Sequence, residues 1–247
     1  MGKPQVLSLH ERILGDIEQH IVSGRWPPGH RIPSEQDLTQ QYGCSRMTVN
    51  KVLTQLARGG LVERRRKAGS FVTRPQSRSA VLEIQDIRSE VESLGQAYRY
   101  EVRERKRRRS TNADMQTLGL GQHSPVLHLV TQHWAGARPF CLEQRLIGLD
   151  TVPAAAEQDF SSEAPGAWLV NHVPWTSAEH RIRAVGADAQ TAPLLELPLG
   201  APCLLIERRT WLGGQPVTFV RLTYPGDGHE LVARFSPSSG SAAHNGS

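Results

Sequence analysis

Cysteine is scarce, with Cys44, Cys141 and Cys203 the only three in 247 residues. They are odd in number, far apart and without a Cys-x-x-Cys pair, so neither a disulfide framework nor a structural zinc site is indicated. No stretch is long and apolar enough to cross a bilayer, and the opening MGKPQVLSLHERI lacks the apolar core of a secretory signal. A cytoplasmic location without membrane partners is therefore expected. Also missing are a G-x-S-x-G elbow, an H-E-x-x-H helix, a P-loop and a dinucleotide fingerprint. Glu179-His180 is too isolated to act as a metal or acid–base pair, so the chain is expected to hold no catalytic residue, metal or cofactor.

What is present is a charge imbalance. Residues 1–78 contain 13 Lys+Arg against 6 Asp+Glu, whereas residues 79–247 contain 16 against 18. A uniformly basic chain would coat polyanions in general; this asymmetry predicts one nucleic-acid-binding module joined to a domain with another task. The basic part is patterned as three helices and a hairpin. Leu9, Ile13, Ile17 and Ile21 recur every fourth residue, giving an apolar stripe on a helix from about Ser8 to Ser23. Ser34 caps a second helix, and Tyr42-Gly43-Cys44 breaks it. Ser45 then caps a third, whose Val49, Val52, Leu53 and Leu56 form one apolar face. The opposite face carries Arg46, Thr48, Asn50 and Lys51, side chains suited to base edges and phosphates in a major groove. After Gly59-Gly60, Leu61-Val62-Glu63 and Gly69-Ser70-Phe71-Val72 read as two strands around Arg64, Arg65, Arg66 and Lys67. Four adjacent cations repel one another unless an anion lies close, and a phosphate backbone supplies one. A solvated basic loop is the plainer reading, but the helix-turn-helix just before it favours the wing.

Beyond residue 81 the pattern changes to strands with short helices between them. Strands are predicted over 98–109, 126–134, 139–147, 180–185, 203–211, 216–224 and 230–235, with the first an edge strand blunted by its charges. Short helices are predicted over 111–118, 165–171 and 188–196. The expected class is α+β with a mainly antiparallel sheet. The domains are read as 1–73 for DNA binding, 74–83 as linker, 84–236 for effector binding, and 237–247 as a disordered tail.

The stretch from Ser8 to Val72, with WPPGHRIPSE, CSRMTVNK and the glycine before FV, resembles the winged helix-turn-helix of the GntR family of bacterial transcription regulators. The stretch from Ile84 to Phe235 resembles the UTRA effector domain of that family's HutC branch, whose fold is similar to chorismate lyase. MTVNK, HVPWTSAEHRI, ERRTW and the run ending in YPG are similar to the histidine-utilisation members of the branch. The resemblance implies a homodimeric repressor on a two-fold double-stranded operator, released when a catabolite, urocanate in that branch, enters the second domain. It places Gln36, Arg46 and Asn50 against DNA and the wing around Lys67 to Gly69 in the minor groove; Ser45, Thr48, Lys51, Arg64, Arg65 and Arg66 join that expected surface from the residue pattern itself. Many members carry arginine where Asn50 stands, a departure expected to change the operator rather than abolish binding.

In UTRA domains that bind phosphosugars, the resemblance implies two arginines at the positions held here by Thr131 and His133, so a phosphosugar is disfavoured. Glu143, Trp168, Thr218 and Tyr224 match pocket positions, and Arg145 or Arg221 is expected to meet a carboxylate as a forked pair. The plainer alternatives are an ion-paired Arg221, a packed His133, and Trp168, Trp175 and Trp211 as core. Competing functions are a regulator of another small metabolite, an enzyme built on the lyase-like fold, and an architectural DNA-binding protein without an effector.

Overall fold

The computed structural model describes residues 8–73 and 86–231. The expected linker and tail, residues 74–83 and 237–247, lie outside them. In the first domain, α1 (Leu9–Val22) opens with a reciprocal cap. The Glu11 N–H donates to Ser8 Oγ at 3.2 Å and the Ser8 N–H donates to the Glu11 carboxylate at 2.8 Å. Ser34 and Asp37 cap α2 (Glu35–Tyr42) in the same way, and Gly43 ends it at φ 58°, a left-handed conformation that glycine adopts without steric cost. Ser45 caps α3 (Arg46–Arg58) by accepting the Thr48 N–H. Ile13, Ile17 and Ile21 from α1 bury against Leu38 of α2 and Val49, Val52, Leu53 and Leu56 of α3. The wing is the hairpin β1 (Val62–Arg65) and β2 (Gly69–Val72), with Lys67 at its tip in the left-handed region at φ 64°.

The second domain is a six-stranded antiparallel sheet. Its strands are β3 (Tyr98–Arg109), β4 (Pro125–Ala135), β5 (Arg138–Gly148), β6 (Ser177–Gly186), β7 (Pro202–Leu212) and β8 (Gln215–Pro225), ordered β3-β4-β5-β8-β7-β6. The expected last strand differs: Glu230 and Leu231 are irregular, and the remainder of that segment lies outside the described residues. The predicted helix over 188–196 shrinks to α7 (Thr191–Leu194), while α4 (Ile87–Ser93) and a 3-10 turn (Pro153–Glu157) were not expected.

Side chains alternate along each strand, so the sheet has two distinct faces. On one, Leu127, Leu129 and Ile147 pack under α6 (Pro165–His172), and Val220, Leu222 and Tyr224 pack under α4. On the other, Val126 and Leu146 pack against Leu118 of α5 (Asn112–Leu118). The two domains touch just beyond α3. A Cβ on Gly60 would lie 3.5 Å from Thr176 Cγ2, and one on Gly24 would lie 3.8 Å from the His172 carbonyl oxygen.

Candidate functional site

The first domain forms a concave basic surface between the start of α2 and the wing, lined by Gln36, Arg46, Arg64, Arg65, Arg66, Lys67 and Gly69. Its organiser is Glu35, the first residue of α2. Its carboxylate accepts from Arg64 Nη2 at 2.7 Å, Arg46 Nε at 3.1 Å and Asn50 Nδ2 at 3.4 Å. One anion thus holds together side chains from the recognition helix and the wing. Ser45 and Thr48 are engaged with each other at the start of α3, their hydroxyls 3.0 Å apart. Arg65 pairs with Glu63 and lies over the Phe71 ring at 4.8 Å. Among the described residues, the side chains of Lys51, Arg66 and Lys67 have no hydrogen-bond or ion-pair partner, which leaves their charges available to phosphate.

The second domain encloses a cavity between the sheet and α6, with polar groups from five strands and apolar walls that include Leu169, Val173, Trp175 and Leu222. Glu143 is 1% exposed and accepts from Arg145 Nε at 2.6 Å. Burial works against its charge, but Arg145 and His133 beside it hold its pKa down to about 2. His133 shares a 2.9 Å hydrogen bond with the Tyr98 hydroxyl through Nδ1. Its Nε2 lies 3.4 Å from Glu143 without hydrogen-bond geometry and is otherwise unpartnered. Gly166, in the first turn of α6, permits this arrangement: a Cβ there would sit 3.1 Å from Arg145 Nη2 and 3.4 Å from Glu143 Oε2.

Strand register sets which expected residues meet. Leu129, Arg145, Val220, Arg208 and His180 form one row across β4, β5, β8, β7 and β6, and Thr131, Glu143, Leu222 and Ile206 form an adjacent row. Of the expected effector residues, His133, Glu143, Arg145 and Thr218 line the cavity. Four are placed elsewhere. Thr131 is buried beside Glu143 in the register with its hydroxyl unpartnered. Trp168 packs in the core against Phe160 and His172. Tyr224 lies beneath α4, stacked 3.9 Å from His229. Arg221 is in register with Gln144 and Glu207, which puts it on the opposite face, 3.7 Å from the Glu207 carboxylate. The expected forked contact from Arg221 is thereby corrected.

Arg208 was missed. It lines the cavity, is 9% exposed, and donates through Nε to His180 Nε2 at 2.6 Å. Burial and the neighbouring Arg145 lower its pKa to about 10, still protonated near neutrality. Burial and Arg208 lower that of His180 to about 4, so this imidazole is neutral and free to accept. The available signal was an arginine at an inward position between Ile206 and Thr210. No cluster of His, Cys, Asp and Glu among the described residues could hold a metal ion, and none of their helices is long and apolar enough to cross a membrane.

Residues 9–72 match the bacterial regulatory proteins of the gntR family, and residues 93–230 match the UTRA domain. The chain is 37% identical to the histidine utilization repressor of Pseudomonas putida over 92% of each chain. It is 34% identical to that of Klebsiella aerogenes, over 92% of this chain and 94% of the relative. The crystal structure of the C-terminal domain of histidine utilization repressor from Pseudomonas syringae pv. tomato superposes on it with a TM-score of 0.54 at 34% identity, covering 57% of this chain and 99% of that one. The chain therefore belongs to the gntR family of bacterial regulatory proteins, among the HutC-type DNA-binding transcriptional repressors that carry a UTRA domain.

Proposed function

We propose that this repressor acts as a homodimer on a two-fold operator of histidine-utilisation genes and leaves it when urocanate enters the UTRA cavity. The observation that carries the reading is the charge pattern of that cavity: Arg145 is paired with the buried Glu143, and Arg208 has no carboxylate within ion-pair distance among the described residues, with the half-buried Asp86 the other carboxylate on the lining. A buried cation left over from pairing is costly unless an anion joins it, so an organic acid is the complementary guest. Urocanate is a flat imidazole joined to one carboxylate, which suits apolar walls with a few polar groups. A phosphosugar suits them less, since Thr131 and His133 stand where two arginines would be needed.

Release requires the ligand to favour a dimer whose recognition helices no longer match successive major grooves, spaced ~34–36 Å apart in half-site recognition. A 100-fold loss of operator affinity needs about 2.7 kcal/mol of coupling, within the usual allosteric range. The test is operator retention with and without urocanate, together with the ligand's absorbance. Loss of DNA with the absorbance intact is expected. Retention at saturating urocanate overturns the effector assignment, and decay of the absorbance points to an enzyme instead.

A further inference from the structure

The two cavity arginines are not equivalent. Arg145 is committed, with Nε donating to Glu143 at 2.6 Å and Nη1 to Thr218 Oγ1 at 3.4 Å. Arg208 has no carboxylate within ion-pair distance among the described residues, and its single protein hydrogen bond leaves through Nε to His180. Both Nη groups are therefore uncommitted at a site 9% exposed. A guanidinium whose Nε is already taken presents its remaining fork end-on, the geometry that receives a carboxylate through two parallel N–H···O contacts. His180, across β6, is neutral and has a nitrogen lone pair in place to set that orientation.

We propose that Arg208 receives the effector's carboxylate, with His180 as its positioning residue, and that this pair makes the cavity selective for a singly charged planar acid over its neutral analogues. The inference rests on the effector reading above and refines it. A second negative charge on the ligand would face the buried Glu143 carboxylate with no further uncommitted cation in the cavity to meet it. Arg145 stands one strand beyond Val220 in the same row, so the backbones of the two arginines are roughly 10 Å apart. A carboxylate at Arg208 thus leaves Glu143 and the open Nε2 of His133 for the polar ring at the other end.

The experiment is calorimetry on the full chain with urocanate and with its neutral amide, urocanamide. The wild type is expected to prefer the acid on the order of 100-fold, the usual scale for a buried charge pair. In Arg208→Gln that preference should fall to within about threefold while the amide binds as before. Arg221→Gln, on the opposite face, should leave both affinities unchanged. His180→Ala should lower acid affinity roughly tenfold and His180→Gln, whose amide oxygen can still accept from Nε, should restore most of it, a rescue that simple packing does not predict. Operator binding checks the fold of each variant. Should Arg208→Gln fail that check, Arg208→Lys, which keeps charge but not the fork, is expected to lose roughly tenfold for the acid alone. A folded Arg208 variant that keeps the full preference for the acid overturns the Arg208 assignment and leaves the urocanate reading standing. A wild type that binds neither compound overturns both.

Discussion

Arg46 carries an 83% exposed side chain, yet its Nε is held 3.1 Å from Glu35, which also engages Asn50 and Arg64. Ion pairs this exposed contribute little to stability, so what Glu35 supplies is orientation across α2, α3 and β1. Arg46→Ala is expected to cost about 1–3 kcal/mol of operator binding and to relax base preference, as seen by titrating operators that each carry one altered base pair. Arg66→Ala, at the partnerless wing tip, should instead weaken all sequences alike and reduce the slope of log affinity against log salt by about one. If Arg46→Ala leaves base preference intact, α3 is not the reading element.

Caps and short helices decide how firmly the sheet's elements are held. Asp114 begins α5, accepting from the Thr111 N–H at 2.7 Å and Oγ1 at 2.8 Å while Arg108 of β3 grips it from the side. Burial raises its pKa, but Arg108 and Thr111 outweigh that and hold it at about 2 against an ordinary 3.8. A carboxylate depressed on folding stabilises the protein above its unfolded pKa, and the contribution disappears as pH falls through the folded one. Asp114→Asn should therefore cost about 1–2 kcal/mol at pH 7, narrowing by about half at pH 3. Urea unfolding at the two pH values measures this, and an equal deficit at both would assign the effect to something other than charge. The unexpected α4 shows the opposite case. Its seven residues offer only Ile87 and Val91 as a stripe, and Asp86 makes no side-chain cap, so packing over Ile206, Leu222 and Tyr224 is what makes it a helix.

At the scale of the whole molecule, the cavity wall leads to the segment that follows α3. Val173 and Trp175 line the cavity, and Thr176 follows directly, its N–H donating to the Trp211 carbonyl at 2.8 Å and its Oγ1 accepting from the Gly213 N–H at 3.0 Å. Thr176 in turn meets Gly60, two residues past the end of α3. A Cβ at residue 60 would lie 3.6 Å from that of Thr176, within the range a disulfide spans. A Gly60→Cys, Thr176→Cys double variant, oxidised, is expected to bind urocanate yet hold the operator with one affinity whether or not ligand is present. Reduction should restore the response. Release from the oxidised form as in the wild type would move the coupling away from this contact.

The stripe Ile13, Ile17, Ile21, the caps at Ser8, Ser34 and Ser45, and the bounds of β3 were legible because each depends on residues within a few positions of one another or on a simple alternation. The charge split and the winged helix-turn-helix followed from the same local grammar. Arg208 was overlooked and Arg221 offered as the alternative to Arg145 because alternation says that a strand has two faces but not which one meets the cavity. Pairing with β5 and β7 settles that, by placing Arg221 beside Gln144 and Glu207 and Arg208 in the row of Arg145. Glu35 is the same kind of case, since the residues it gathers lie 11, 15 and 29 positions away. Sequence alone determined the three helices and wing of the first domain and most strands of the second, because short-range spacing, capping and alternation specify them. Only the tertiary structure decided which charges converge, because convergence is set by register and packing between distant segments.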